Sequence, residues 1–397
     1  MRSRTVRRAL ALTALATLAP AGSALAQGAS NPLRPGALYA ATNEVAGNRI
    51  VTFTRAHDGT LTPSGSFATG GTGSGGFEGS ANGVVLANRG GEVAPINLNG
   101  SSRFLLATNT GSGSVSVFFT RPGGLVLADV ESAGLNHPIS VTVSRGIVYV
   151  LNGGASNCLG GAPTITGFTI SQEGELTPIP GSTRPVSGGP ASGCSQVSFN
   201  PKGDVLVVTE KQADIVSTYL VDRDGVASAP IANQTSGIGP FGFTFTQTGK
   251  LLETENFGGA PGQGSAASYE IGDDGTLTPI SGSVFNMRSD TCWIVLTDNG
   301  KYAYSTNAMS NDISSYRVDP DGSMTLLQSI AGPADDLPAP PAVPADLSLS
   351  GDSRFLYARN VRDGDIFAFA VQPDGTLAPV QTLNNALPPG AIGVAAD

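Results

Sequence analysis

The stretch PKGDVLVVTEKQADIVSTYLVDRDGV, from Pro201 to Val226, contains one unit of a repeat that recurs along the chain. Within it an apolar run ends at Glu210, a second run ends at Tyr219, and a turn glycine, Gly225, follows six residues later. Seven copies share these three fixed points, with the glycine always six residues after the aromatic residue. Internal repetition at such constant spacing predicts a repeat architecture.

The other copies are marked by segments such as YAATN, LLATN, YVLN, LETEN, YSTN and YARN. The polar position falls at Asn43, Asn109, Asn152, Glu210, Asn256, Asn307 and Asn360. The aromatic position falls at Phe53, Phe118, Phe168, Tyr219, Tyr269, Tyr316 and Phe369. The glycine position falls at Gly59, Gly124, Gly174, Gly225, Gly275, Gly322 and Gly375. In this alignment Glu210 is the one acidic copy.

Each repeat contains four predicted strands, A to D. Alternating runs such as IVSTYLV are typical of half-buried strands, and DGTL or EGEL is typical of a hairpin turn. An earlier run, such as SQVSFN or FGFTFT, supplies strand A. Four short strands in roughly 50 residues predict a propeller blade. The fold class is therefore all-β, a seven-bladed β-propeller with four-stranded antiparallel blades.

The two ends of the chain are expected to close the ring. Six blades are complete, whereas the N-terminal copy has strands B, C and D but no strand A. The C-terminal segment PPGAIGVAAD has the character of a strand A without a blade of its own. We predict that it pairs with the N-terminal blade, which would leave only short, protected strand edges.

The first residues have the pattern of an export signal. A basic head, MRSRTVRR, is followed by a short apolar run and by an Ala-x-Ala site at Ala24 and Ala26. We assign residues 1–26 to a signal peptide, 27–35 to a linker and 36–397 to a single propeller domain. No later apolar run approaches the ~18 residues that span a bilayer. The expected location is secreted or periplasmic, without a membrane span.

Charge and composition restrict the partners. The formal net charge is -9, charged residues make up 13% of the chain, and lysine and arginine form no cluster. These values argue against nucleic acid as a partner. We expect a monomer that binds a small molecule, and we predict neither a cofactor nor a metal. Two histidines and three cysteines without a Cys-x-x-Cys pair do not suggest zinc.

Glu210 is the first candidate site residue. One interpretation is structural, as an acceptor like the asparagines, which bond nearby backbone in turns. The other is a carboxylate at the channel mouth that acts as a general base or contacts ligand. The B to C connections on either side of this blade, NGGASNCLGGAPTITGF and NFGGAPGQGSAASY, are longer than the others. Loops elaborated on one face of a scaffold commonly build a binding site.

Further candidates come from aligning the A strands and their preceding connections. Channel-lining positions are Pro95, Ser140, Gln196, Gly242, Trp293 and Asp346. We take Ser140, Gln196, Trp293 and Asp346 as substrate-binding candidates. Trp293 either stacks on a ligand or plugs the channel. His137 and Arg288 precede A strands on the same face and are catalytic candidates, although solvent contact is the simpler interpretation of Arg288.

The cysteines allow one disulfide. Cys158 lies in a long B to C connection and Cys194 at the start of the next strand A, so both are on the loop face of adjacent blades. We predict that they are bonded, as is common in exported proteins. Cys292 would then be a free thiol, buried as a small apolar residue rather than serving as a nucleophile.

Three segments resemble the seven-bladed lactonase family, which includes 6-phosphogluconolactonases and fungal 3-carboxymuconate cyclases. They are SVTVSRGIVYVLNGG, VSFNPKGDVLVVTEKQADIVSTYLVDRDG and LSLSGDSRFLYARNVRDGDIFAFAVQPDGTLAPV. The resemblance covers essentially the whole mature chain. The chain resembles above all the exported bacterial branch of the family. It implies a metal-free pocket on the loop face, with a glutamate from a "VxNE"-like strand end and histidine and arginine from neighbouring blades.

Glu210 in VVTE matches the family's glutamate. The family segment "GPRHxxF" reads GPASGCSQVSF here, so Ser195 and Gln196 stand where arginine and histidine are expected. We hypothesise that His137 and Arg288 replace them from adjacent blades. A lactone's developing oxyanion needs a fixed donor or cation, and this departure makes such a replacement necessary for catalysis.

Three functions follow from these features. The first is an exported, metal-independent enzyme that hydrolyses or forms a small lactone, as a lactone hydrolase or a muconate-type cyclase. A phosphosugar is disfavoured because no cationic cluster is present to hold phosphate. The second is a non-catalytic propeller that binds a ligand or protein with the same face. The third, a calcium-dependent lactonase, needs oxygen ligands that converge on the axis.

Overall fold

The computed structural model describes residues 36–88, 103–132, 134–333, 343–390 and 393–397. Within them the chain forms 29 β-strands and three short 3₁₀-helices, at Ser156–Cys158, Gly189–Ala191 and Phe257–Gly259. The predicted signal peptide (1–26) and linker (27–35) lie outside the described residues. In the part of the chain that the structure describes, no helix combines the length and apolar character needed to cross a membrane.

The strands form seven antiparallel sheets, each ordered A to D from the channel outward. Blade 1 consists of β29 (Val394–Ala396), β1 (Gly36–Ala41), β2 (Arg49–Arg55) and β3 (Leu61–Ala68). Blade 2 consists of β4 (Val84–Asn88), β5 (Arg103–Asn109), β6 (Ser114–Arg121) and β7 (Gly124–Glu131). Blade 3 consists of β8 (Pro138–Ser144), β9 (Ile147–Asn152), β10 (Thr164–Ile170) and β11 (Leu176–Pro178), with β12 (Arg184–Pro185) also on β10.

The remaining blades repeat this order. Blade 4 consists of β13 (Cys194–Phe199), β14 (Val205–Glu210), β15 (Ile215–Leu220) and β16 (Ile231–Gln234). Blade 5 consists of β17 (Pro240–Phe245), β18 (Leu251–Glu255), β19 (Ser265–Ile271) and β20 (Leu277–Phe285). Blade 6 consists of β21 (Thr291–Leu296), β22 (Tyr302–Asn307), β23 (Asp312–Val318) and β24 (Met324–Pro333). Blade 7 consists of β25 (Pro344–Leu349), β26 (Phe355–Asn360), β27 (Ile366–Val371) and β28 (Leu377–Leu383).

The A strands close a ring. Each A strand contacts the A strand of the next blade, from β4 through β25 to β29, and β29 contacts β4 again. In blade 1 the C-terminal strand β29 pairs with β1, so that Tyr39 faces Ala395. The prediction of a seven-bladed propeller closed by its C-terminal strand is confirmed.

The repeated aromatic and glycine residues hold neighbouring blades together. The seven strand C aromatic residues are at most 2% exposed, which places them in the apolar layers between blades. All seven turn glycines have φ between +81° and +120°, a conformation that residues with a side chain rarely adopt. Strand B tyrosines donate to the carbonyl of the next blade's turn glycine at 2.8–3.0 Å, in the pairs Tyr149–Gly225, Tyr304–Gly375 and Tyr357–Gly59.

Blade 2 differs from the sequence alignment in its strand A. The alignment assumed a constant spacing and placed Pro95 in this strand. The strand that pairs with β5 is instead Val84–Asn88, with Val85 opposite Leu106. The extra residues of this blade therefore lie between strands A and B, at 89–102, and Pro95 is outside the described residues.

Candidate active site

The strand register identifies which residues share the position of Glu210. Leu206 pairs with the repeat aromatic residue Tyr219, and Glu210 follows four residues later as the end of β14. The same count gives Thr42, Asn109, Asn152, Glu210, Glu255, Asn307 and Asn360. The sequence alignment was therefore one residue late at Asn43 and Asn256, where it used the polar residue after the strand. Two blades, not one, are acidic at this position.

Side chains at this position accept hydrogen bonds from the connection that enters their own blade. Asn152 accepts through Oδ1 from the N–H of Asn136 at 3.3 Å. Asn360 accepts through Oδ1 from the N–H of Val343 at 3.1 Å. In blade 6 the Thr291 hydroxyl, at the start of β21, donates to Asn307 Oδ1 at 2.7 Å. The asparagines thus attach a connection to the end of strand B.

Glu210 occupies this position with two acceptor oxygens. It is fully buried, and its Oε1 accepts from the Ser187 N–H at 3.1 Å and from the Ser217 hydroxyl at 2.5 Å. Its Oε2 accepts from the Gly188 N–H at 2.6 Å. Burial raises the pKa of Glu210, and these bonds oppose the rise. The described contacts of Glu210 include neither His137 nor Arg288.

The second acidic copy belongs to a buried pair. Glu255 and Glu253 both have no exposed surface, and the Ser265 hydroxyl donates to Glu255. Neither oxygen of Glu253 has a hydrogen-bond partner. Burial and the charge of Glu255 raise the pKa of Glu253 well above its ordinary value.

Three of the predicted substrate-binding residues connect adjacent A strands. Ser140 accepts from the Val197 N–H at 3.1 Å, and Gln196 both donates to and accepts from the Phe243 backbone at 2.9 Å. Asp346 accepts through Oδ2 from the Val394 N–H at 2.8 Å. Each bond joins one blade to the next around the ring, and all three side chains are buried.

Arg288 is neutralised within blade 6. Its guanidinium forms an ion pair with Asp312, whose side chain is 4% exposed. Its backbone N–H donates to Asn286 Oδ1 at 2.9 Å. Burial raises the pKa of Asp312, and the bond from Arg288 opposes that rise. The structure therefore does not bring Arg288 together with Glu210 or His137 among the described contacts.

Residues 76–82, which we call the strap, lie across the mouth of the channel on the loop face. The strap is bound by blades from opposite sides of the ring. Asn43 donates to Gly76 O at 2.7 Å, and the Gly79 N–H donates to the Asn157 side chain at 2.8 Å. The Ala81 N–H donates to Ser195 O at 3.0 Å, and the Trp293 side chain donates to Ser80 O at 3.0 Å. The strap thus joins blades 1, 3, 4 and 6.

The strap carries a carboxylate that holds His137. Glu78 is 1% exposed and lies 3.0 Å from His137 Nε2, while the His137 side chain is 19% exposed. Glu78 also accepts from the Asn157 N–H at 3.0 Å. Burial alone would raise the pKa of Glu78, but the bonds from His137 and Asn157 outweigh it and lower that pKa. A charged, fixed carboxylate therefore orients a partly exposed imidazole.

Lys211 adds a cation to this group. Its Nζ donates to Gly79 O in the strap at 3.1 Å and to the Ser195 hydroxyl at 3.3 Å, and it lies 5.0 Å from the Phe241 ring centroid. Burial lowers the pKa of Lys211, and the nearby Cys292, Asp290 and Glu78 offset only part of this decrease. Burial likewise raises the pKa of Asp290, which accepts from the Cys292 thiol at 3.2 Å.

Trp293 packs beneath the strap. Its ring meets Phe241 edge-on at 4.7 Å and Phe77 at 6.4 Å between centroids. The residue is 2% exposed, whereas Phe77 is 41% exposed. Trp293 therefore helps to fill the channel mouth, and Phe77 presents an aromatic face to solvent above it.

A disulfide supports the blade 3 side of the mouth. Cys158 and Cys194 are bonded, which joins the long B to C connection of blade 3 to β13. The neighbouring residues Ser156 and Asn157 both donate to Glu78. Cys292 is a free, buried cysteine. The disulfide thus fixes the residues that hold the strap carboxylate.

The sequence did not identify Glu78, Lys211 or Asp290 as candidates. Glu78 lies in the segment GGFEGS, between the first two repeats, and three-dimensional proximity alone connects it with His137. Lys211 immediately follows Glu210 in the sequence, in the blade that the repeat alignment singled out. Among the described residues no three His, Cys, Asp or Glu side chains are grouped so as to hold a metal ion.

These features define a seven-bladed propeller with a group of ionisable side chains at its covered mouth. A family model described as "Lactonase, 7-bladed beta-propeller" matches residues 89–386. The chain belongs to this family of seven-bladed lactonase propellers.

Individual relatives are more distant. A 6-phosphogluconolactonase from Sodalis glossinidius is 25% identical over 268 residues, which cover 64% of this chain and 72% of the relative. A solved protein from Lactobacillus plantarum has a TM-score of 0.65 at 20% identity, covering 91% of this chain and 99% of that one. The periplasmic gluconolactonase from Pseudomonas aeruginosa has a TM-score of 0.55 at 18% identity, covering 71% and 82%. These structural likenesses concern the fold.

Proposed function

We propose that this chain is an exported, metal-independent enzyme that hydrolyses or forms a small lactone at the strap-covered mouth. The observation that carries the proposal is the Glu78–His137 pair, a buried carboxylate 3.0 Å from a partly exposed imidazole. A base oriented by a third group is the arrangement used to activate a nucleophile. Membership of the lactonase propellers supports the same reaction class.

In hydrolysis, His137 would act as the base and Lys211 as the electrostatic partner. Glu78 accepts from Nε2–H and leaves Nδ1 to take a proton from water. The water oxygen bonds to the ester carbon, the Lys211 ammonium stabilises the carbonyl oxygen, and the ring C–O bond then breaks. His137 returns the proton to the departing alkoxide. Lactone formation is the reverse sequence.

Glu210 and Arg288 have supporting positions in this proposal. The bonds of Glu210 to Ser187 and Gly188 fix the connection into blade 4, and Lys211 follows it directly in the chain. Arg288 holds the connection into β21 through Asp312. Both connections border the mouth, so the two residues would position the site rather than react.

The Cys158–Cys194 disulfide supports export, because disulfides persist in oxidising compartments. The basic and apolar start of the chain supports the same location, secreted or periplasmic.

The alternative is a non-catalytic propeller that binds a ligand or protein with the same face. The strap favours it, because residues from four blades bind across the mouth and leave Trp293 only 2% exposed. A substrate must enter beside the strap or displace it, whereas a surface ligand need not.

The test compares the two histidines of the chain. Purified mature protein is assayed on aliphatic, aromatic and sugar lactones, with and without EDTA, as wild type, His137→Asn, Glu78→Gln and His57→Asn. Asparagine tolerates the positive φ of His137, +56°, and His57 lies in an exposed turn and serves as the matched control.

We expect EDTA-resistant turnover that falls at least about 100-fold in His137→Asn and Glu78→Gln, the usual size of a general-base effect, with His57→Asn unchanged. Full activity of His137→Asn would show that another residue is the base. Loss of turnover in EDTA would contradict the metal-independent mechanism. No turnover by folded wild type would favour the binding propeller.

A further inference from the structure

We propose that the mouth accepts an uncharged lactone with an aromatic or aliphatic body and discriminates against phosphorylated sugars. This inference names the substrate class of the site described above and rests on the proposed function. It is carried by two separate features of the strap region, the balance of its charges and the position of its aromatic rings.

Among the described residues, one cation hydrogen-bonds to the strap, and carboxylates accompany it. Lys211 is the cation, and the acidic groups that act on it are Asp290 and Glu78. Glu78 in turn holds His137. A phosphate carries up to two negative charges and would enter a partly dehydrated site beside a fixed carboxylate. Like charges at short distance in such a site repel strongly.

Arg288, on the blade 6 side of the mouth, does not change this charge balance. Arg288 lies in the same connection as Asp290, but its guanidinium is paired with the buried carboxylate of Asp312. Phosphate recognition commonly uses bidentate arginine, and the Nη2 of Arg288, which would supply one of the two parallel N–H bonds, is already bonded to Asp312. Lys211 also donates to Gly79 O and Ser195, which occupies two of its three N–H bonds.

The apolar side chains of the mouth favour an uncharged ring. Phe77 is 41% exposed on the strap, and its ring meets Trp293 at 6.4 Å. Trp293 in turn contacts Phe241, with 4.7 Å between their ring centroids, and the Lys211 ammonium lies over the Phe241 ring. A planar substrate that packs on Phe77 would thus lie on the same strap as Glu78, one residue from it in sequence. Aromatic pairs of this kind add binding energy beyond that of the area buried.

The surrounding face is also apolar. Seven of the twelve large hydrophobic residues exposed in the described chain lie at loop-face connections: Val45, Phe77, Leu159, Ile238, Phe285, Met287 and Met309. Phe285 stacks near Phe257 at 5.7 Å, beside the glycine-rich connection of blade 5. Such a concentration on one face is typical of a surface that meets apolar partners.

The first experiment compares three lactones. Dihydrocoumarin is neutral and aromatic, glucono-δ-lactone is neutral and polar, and 6-phosphoglucono-δ-lactone is charged. After correction for spontaneous hydrolysis, kcat/KM is expected to be at least about 100-fold higher for dihydrocoumarin than for the phosphorylated sugar. Preference for the phosphorylated sugar over its neutral analogue would overturn the inference.

Two variants separate the two features. Phe77→Ala should lower kcat/KM for dihydrocoumarin about 5- to 10-fold and change that for glucono-δ-lactone less than 2-fold, because one aromatic contact is lost. Leu127→Ala, equally exposed at 41% but in the outer strand β7 of blade 2, is the matched control and should change neither. Asp290→Asn should raise kcat/KM for the phosphorylated sugar at least about 5-fold relative to dihydrocoumarin. Unchanged ratios in both variants would contradict the assignment.

A binding measurement distinguishes this inference from the proposed function. Trp293 is the one tryptophan of the chain, so intrinsic fluorescence reports on the mouth directly. Binding of dihydrocoumarin but not 6-phosphogluconate, without turnover of any lactone, would reject the enzyme and retain the substrate class as a ligand class. Tighter binding of 6-phosphogluconate, or binding of neither compound, would overturn the class.

Discussion

Two adjacent backbone N–H groups, of Ser187 and Gly188, face the carboxylate of Glu210 from the connection into blade 4. An asparagine at this position offers one acceptor oxygen, whereas a carboxylate offers two. The chemical difference between blade 4 and its neighbours therefore follows from the turn that the residue must hold. Fewer donors face Glu255, because its Oε1 has no hydrogen-bond partner.

Glu210→Ala should therefore lower stability. It leaves both N–H groups and the Ser217 hydroxyl without their acceptor in a buried place, and we expect a loss of about 2–4 kcal/mol in the free energy of unfolding. Denaturant unfolding of the variant measures this loss, and Glu210→Gln, which keeps one oxygen, should lose less. A thousandfold fall in kcat of Glu210→Gln with an unchanged unfolding midpoint would instead place Glu210 in the reaction.

At the residue scale, sequence identified some site positions and missed others for a physical reason. His137 could be named because histidines are rare in this chain. Its partner Glu78 is separated from it by a whole blade in sequence, so no spacing rule connects them. Gln196, Ser140 and Asp346 lie on A strands, as predicted, and their side chains bond the next blade's backbone.

The strap and the blade 3 insertion are the elements that build the mouth. Each lacks regular strands, and each depends on contacts with the other, because Asn157 binds both Glu78 and Gly79. Long glycine-rich connections predicted that this face would be elaborated. Their conformation could not be predicted, because it depends on side chains contributed by four blades.

The Cys158–Cys194 bond anchors this insertion across 36 residues of sequence. For a closed loop of this length, the chain-entropy model gives a stabilisation of about 4 kcal/mol. Replacing both residues by serine should lower the unfolding free energy by up to that amount and also reduce the rate of lactone turnover, because Ser156 and Asn157 hold Glu78. Differential scanning calorimetry and the lactone assay measure the two effects.

Cys292→Ser is the control for this prediction, since Cys292 is a free, buried thiol in β21 of blade 6. It should leave the response to reducing agent as in the wild type, whereas the double variant should lose that response. If reduction of the wild type changed neither stability nor activity, the disulfide would not be the anchor of the mouth.

At the scale of the whole molecule, the ring depends on one short strand. The strand β29 has three residues and completes blade 1 from the other end of the chain. The charged groups around it reinforce the closure: Arg55 donates to the Asp397 carbonyl at 3.0 Å, and Asp346 accepts from Val394 at 2.8 Å. Sequence predicted this closure from a missing strand at one end and a surplus strand at the other.

The closing contact should make stability depend on pH. Burial raises the pKa of Asp346 to about 7, while Arg359 and backbone N–H groups oppose the rise. The folded chain therefore holds a proton that the unfolded chain, with a pKa near ~3.9, releases at lower pH. The stabilisation linked to this proton is fully present below about pH 4 and is lost as the pH rises through about 7.

Asp346→Asn removes this titration and keeps a side-chain oxygen for the Val394 N–H. Between pH 4 and pH 8 the wild type should lose about 4 kcal/mol of unfolding free energy that the variant keeps. This is the linkage value for a pKa shift of roughly three units. Chemical denaturation at a series of pH values measures this difference. Asp224→Asn, in the exposed turn of blade 4, is the control for the loss of a carboxylate away from the closing contact. A constant difference for Asp346→Asn would mean that Asp346 closes the ring as a carboxylate, with Arg359 supplying enough charge to keep it ionised.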